Sequence, residues 1–149
     1  MGLLILAAGC GFTPVFAPGG VGDHWQNKVV VDAPNSVIGF RMNARLSGIF
    51  GHATAAEYTL TIVPQVAPVP ATITVDGDIT RFNLTGNATW VLSGQAGLVV
   101  DGLVQTFTSY SATGSTVATQ AAESDAQDRL AIALSDLILQ QLLVRGVHQ

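Results

Sequence analysis

Residues 81–92 carry the pattern that most restricts what this chain can fold into. Phe82, Leu84, Ala88, Trp90 and Leu92 share one parity, while Asn83, Thr85, Asn87 and Thr89 share the other. Successive side chains of an extended backbone point to opposite faces, so this stretch reads as a strand with one apolar and one polar face. Ser93 to Gly97 supplies a Gly-containing hairpin loop, and Leu98 to Tyr110 returns as the partner strand. Asp101-Gly102 interrupts the partner's alternation, which suggests a bulge there. A sheet that is apolar on one face needs a single covering layer on that face.

The flanking segments provide that layer. Lys28 to Asp32 is a β-branched run that predicts a first strand, ended by Pro34. Asn35 or Ser36 can cap a following helix in which Ile38, Met42, Leu46 and Ile49 fall on one side, with Gly51 as its stop. Glu57 to Val63 alternates as a half-buried strand with Tyr58, Leu60 and Ile62 on one face. Pro64, Pro68 and Pro70 lack the ladder donor and exclude a central strand. Strand character resumes from Ala71 to Val75, and Asp76-Gly77-Asp78 turns the chain.

A long helix follows, with Ser124-x-x-Gln127 as a capping box at or near its start and Gly146 at its end. Glu123, Asp125 and Asp128 suit its positive end and Arg145 the other. Ala126, Leu130, Ala133, Leu134, Leu137, Ile138 and Leu142 form the expected core stripe. At about 100° per residue, Ile132, Leu139 and Leu143 lie on the opposite side, where a two-layer sandwich offers no internal neighbour. These three are expected to project outward as a ridge that contacts a partner. The fold class expected is α+β: a two-layer α/β sandwich with a mostly antiparallel sheet of four to five strands packed against two helices.

The N-terminus carries a different signal. Leu3 to Ala8 is a short apolar run that ends in small residues before Cys10, the sole cysteine. With no thiol partner in the chain, Cys10 reads as the lipidated residue of a bacterial lipoprotein signal, the alternative being a buried segment with an incidental cysteine. Acyl chains on Cys10 would bury many CH₂ groups at about 0.8 kcal/mol each, enough for stable attachment. The division expected is a signal remnant over 1–10, a tether over 11–27 and one domain over 28–146.

Composition narrows the function. Charged residues make up only 11% of the chain, far below the roughly 25% of ordinary soluble domains, so either Ser, Thr, Asn and Gln dominate the surface or a partner covers part of it. A net charge of −4 argues against nucleic acid. His24, His52 and His148 are scattered and lack metal-ligand spacing. No nucleophile elbow or phosphate cradle is present. The expectation is a non-enzyme with no cofactor.

The order of features resembles the LptE family, the outer-membrane lipoproteins of the lipopolysaccharide-assembly translocon. The resemblance runs from Gly9-Cys10-Gly11-Phe12-x-Pro14 through the Asn35-led helix and the Tyr58-x-Leu60-x-Ile62 strand. It continues through Thr80-Arg81-Phe82-Asn83-Leu84 to Ala122-Glu123-Ser124-Asp125-Ala126-x-x-Arg129-Leu130. It implies a lipid-anchored, periplasm-facing protein of the outer membrane that plugs the β-barrel LptD, assists its assembly and binds lipopolysaccharide. Lipopolysaccharide phosphates would need cationic donors, and Arg81, Arg41 and Arg45 are the candidates. A tethered periplasmic module for a lipid or small apolar ligand is the competing expectation.

Overall fold

The computed structural model describes residues 22–146 with the exception of 74, 76 and 78. Its elements are β1 (Val29–Asp32), α1 (Val37–Phe50), β2 (Tyr58–Ile73), β3 (Ile79–Gly94), β4 (Gly97–Ser111) and α2 (Thr116–Gly146). The strands lie in the order β1-β2-β3-β4, with β1 parallel to β2 and the other pairs antiparallel. The result is an α+β sandwich of the expected kind, with a mixed four-stranded sheet and two helices.

Leu84, Ala88, Trp90 and Leu92 of β3 are buried, as the alternation requires, together with Leu60 and Ile62 of β2 and Val104 and Tyr110 of β4. Met42, Leu46 and Phe50 of α1 and Ala126, Leu130, Leu134, Ile138 and Leu142 of α2 complete the core. Each large side chain removed from water contributes about 1.5–3 kcal/mol. The helical layer closes tightly over Gly86, where a Cβ would stand 3.0 Å from one Leu130 methyl and 3.1 Å from Leu134. Ser36 caps α1 by accepting from the Gly39 N–H at 3.2 Å, and Gly51 ends that helix at φ 78°.

Several sequence expectations are corrected. Packing begins before the expected boundary at residue 28. Asp23–Trp25 form a 3-10 turn that buries Trp25, and Asn27 N–H donates to the Phe50 carbonyl at 2.7 Å. Gln26 Nε2 donates to the Ile49 carbonyl at 3.0 Å. Residues 22–27 therefore satisfy the end of α1, whose last carbonyls have no partner within the helix.

β2 does not stop at Pro64. It runs through Pro64, Pro68 and Pro70 because β1 is only four residues long and pairs only with Tyr58 to Thr61. Among the described residues no strand pairs with this side of β2 beyond Thr61. The Tyr58 N–H donates to Lys28 of the β1 side, and all three prolines share Tyr58's parity. Their missing donors thus face that side and take nothing from the ladder with β3.

The bulge lies at Val99, not at Asp101-Gly102. Leu92 pairs with Val100 and Ser93 with Leu98, leaving Val99 as the extra residue. Gly102 sits in register opposite Trp90. α2 also starts earlier than the Ser124 box, at Thr116, with Ser115 Oγ accepting from the Ala118 N–H at 3.3 Å.

The outward ridge of α2 is only partly outward. Ile132 is 46% exposed, but Leu139 and Leu143 are half-buried and pack against the core. The reason is that α1 lies beside α2 in the same layer. It buries a second stripe of α2, Ala131 and Ser135, which the sheet alone would leave in solvent. Ala133 and Leu137, assigned to the core stripe, are only half-buried.

Candidate functional site

The turn between β2 and β3 brings the clearest cluster of exposed functional groups together. Thr72 pairs with Arg81 and Ile73 with Ile79, so the two strands carry these residues to one end of the sheet. Ile73 is 62% exposed, Ile79 is exposed, and Val75 in the turn is fully so. Gly77, at φ 89°, adopts the left-handed backbone that lets the turn close. Asp76 and Asp78 of the expected turn lie outside the described residues. The end of the sheet is braced from within by Phe82 and Tyr110, whose rings stack at 5.4 Å with 16° between their planes. Burial, with the Glu123 carboxylate second, raises the Tyr110 hydroxyl above its ordinary pKa of 10.0.

Arg81 is exposed at this end, and among the described residues no side chain pairs with its guanidinium. The other five cations of the chain are engaged. Lys28 pairs with Glu57 at 3.0 Å, and Arg129 with Asp125 at 2.8 Å. Arg145 donates to the Asp101 carbonyl.

Arg41 and Arg45, expected to act on the same ligand as Arg81, instead face α2. Arg41 Nε lies 2.7 Å from Asp128 Oδ1, and its Nη atoms donate to the Ser124 carbonyl and hydroxyl, each at 3.0 Å. Arg45 Nη2 lies 3.0 Å from Asp136. These guanidiniums fasten one helix to the other, and the structure does not bring them into the Arg81 cluster.

What the cluster offers chemically is a planar donor fork beside exposed aliphatic groups. A guanidinium can bind a phosphate with two parallel hydrogen bonds, and the aliphatic groups can cover hydrocarbon. The sequence contained a signal for the apolar part, since Ile73, Val75 and Ile79 surround an Asp-Gly-Asp turn that places them beyond the core. Cys10 and His148 lie outside the described residues. Among the described residues no group of His, Cys, Asp or Glu could hold a metal ion, and no helix is long and apolar enough to cross a membrane.

The family model described as "LptE: Lipopolysaccharide-assembly" matches residues 24–142. No curated protein matches the chain. Among solved structures, a protein assigned as a lipoprotein from Caulobacter crescentus is 20% identical, with a TM-score of 0.69 over 85% of this chain and 95% of that one. The rare lipoprotein B of Shewanella oneidensis is 11% identical, with a TM-score of 0.64 over 81% and 97%. A minor lipoprotein from Acinetobacter baumannii is 18% identical, with a TM-score of 0.56 over 79% and 91%. At these identities the likeness is one of fold.

Proposed function

The chain belongs to the LptE family of lipopolysaccharide-assembly proteins, and on that premise we propose that it is the lipoprotein of an outer-membrane lipopolysaccharide translocon. In this reading it is held by a lipid on Cys10, plugs the β-barrel LptD and assists that barrel's assembly. It binds lipopolysaccharide at the β2–β3 turn, with the Arg81 guanidinium on a phosphate and Ile73, Val75 and Ile79 against acyl chain. The observation that carries the ligand assignment is that Arg81 alone among the six cations has no partner among the described residues and stands beside exposed aliphatics. The interior between sheet and helices is filled by Trp90, Leu92, Leu130, Leu134 and Ile138, which favours a surface site over the interior chamber of a small-ligand module.

The test is binding of purified lipopolysaccharide by Arg81→Ala. A charged hydrogen-bonding group contributes about 1.5–3 kcal/mol, so affinity should fall by roughly ten- to a hundredfold with the melting temperature unchanged. Equal affinity in the variant would remove Arg81 from the site.

A further inference from the structure

β4 is an edge strand, fifteen residues long, and its sequence offers little to stop another strand from pairing with it. Between Gly97 and Ser111 it has no Pro, Lys or Arg, and Asp101 is its only charge. An edge of this kind is a template for strand addition.

The ladder fixes which groups face out. Ala112 N–H donates to the Thr80 carbonyl of β3, so the even residues of β4 turn their backbone groups inward and the odd ones turn theirs to the open edge. Among the described residues, three of the outward carbonyls accept from side chains of α2. Arg129 Nη2 donates to Ser109 at 3.0 Å, Gln141 Nε2 donates to Leu103 at 3.1 Å, and Arg145 Nη1 donates to Asp101. Gln141 is itself positioned by Trp90, whose Nε1 donates to its Oε1 at 3.1 Å.

The exposed edge is also well matched to itself. Antiparallel pairing of two copies centred on Gln105 would set Gln105 against Gln105 and Phe107 against Leu103 of the other copy. Phe107 is 62% exposed and Leu103 is also exposed, so the pairing would bury apolar surface and complete the outward hydrogen bonds together.

We propose that α2 closes the β4 edge against pairing with a second copy of the chain, through the Arg129, Gln141 and Arg145 donors. Among the described residues, two long stretches of sheet edge are then protected in different ways. β2 beyond Thr61 turns three prolines outward, and β4 has its outward carbonyls taken by side chains of the neighbouring helix. Donors from an adjacent helix thus take the place of the charged residues that usually guard an edge from within the strand.

The experiment is sedimentation velocity of the full chain, with reductant present to keep Cys10 from cross-linking. Wild type should be monomeric. The triple variant Arg129→Ala/Gln141→Ala/Arg145→Ala should double in mass and gain hydrogen-exchange protection at the amides of residues 103, 105 and 107. If that variant does not fold, Gln141→Glu in place of Gln141→Ala keeps an oxygen for the Trp90 Nε1–H while removing the donor to the Leu103 carbonyl, and should dimerise likewise. Adding Gln105→Pro removes an outward N–H that makes no bond to β3, and should return the mass to that of a monomer. Monomeric behaviour of whichever of the two triple variants folds would overturn the proposal. So would a dimer that Gln105→Pro does not reverse, or a wild type already dimeric and protected at these amides.

Discussion

At Gly102 the sheet has no side chain because Trp90 of the adjacent strand occupies that space. A Cβ there would stand 2.7 Å from the indole and 2.6 Å from Gln141 Oε1. Gly102→Ala must therefore displace the ring, the Gln141 bond, or both, and overpacking of this kind costs about 1–3 kcal/mol. Urea unfolding should register that loss, with Gly97→Ser as a contrast that fills open space and strains only the backbone, at φ 111°. A second residue-scale effect concerns Tyr110. Its hydroxyl is raised by burial and then by Glu123, so the folded state holds the proton more tightly than the unfolded chain. The stabilisation is complete below the unfolded value of about 10 and is lost as pH rises through the folded value. Tyr110→Phe should flatten the decline of stability above about pH 10 in unfolding curves taken across the alkaline range.

At the scale of elements, the contact between α1 and α2 explains both what the sequence made legible and what it did not. The cap at Ser36, the stop at Gly51 and the alternation of Arg81 to Leu92 could be read directly because each depends on neighbours within a few residues. The neighbour of α2 could not. Leu139 lies about 180° from Leu130 around the helix, and only the placement of α1 in the same layer makes it half-buried. The span of β2 is a similar case, since its edge begins where the four-residue β1 ends. Of the candidate site, the exposed place of Arg81 at the start of a strand could be read from the sequence, and the ion pairs of Arg41 and Arg45 could not, because their acceptors, Asp128 and Asp136, are more than eighty residues away in sequence. Arg41→Ala should consequently destabilise the fold and leave lipopolysaccharide affinity per folded molecule unchanged. Its cost should exceed that of Arg45→Ala, which breaks an exposed pair worth about 0–1 kcal/mol. Leu139→Asp should lower the melting temperature of the isolated chain, whereas Ile132→Asp should leave it folded. Thermal unfolding of the four variants side by side orders these effects.

For the whole molecule, the proposed role gives the protein two independent attachments, a lipid on Cys10 and enclosure by a barrel. The surface suits the second. The sheet face turned away from the helices carries Gln65, Asn87 and Gln105 in register across three strands, with Thr85, Thr89 and Ser109 around them and exposed Val63, Leu103 and Phe107 on the same face. The polar centre of this face can meet the polar lining of a water-filled barrel. The two attachments separate cleanly in Cys10→Ala. When LptD is present, the unlipidated chain should still sediment with membranes and should co-purify with the barrel in mild detergent. When LptD is depleted, the same variant should appear in the soluble periplasmic fraction, while the lipidated wild type stays with membranes. A tethered binding module behaves differently, because its only hold on the membrane is the lipid, so Cys10→Ala would release it whether or not the barrel is present. Retention that depends on LptD therefore supports the plug, and release in its presence refutes it. Labelled fatty acid incorporated equally by Cys10→Ala and wild type would instead refute the lipidation of Cys10.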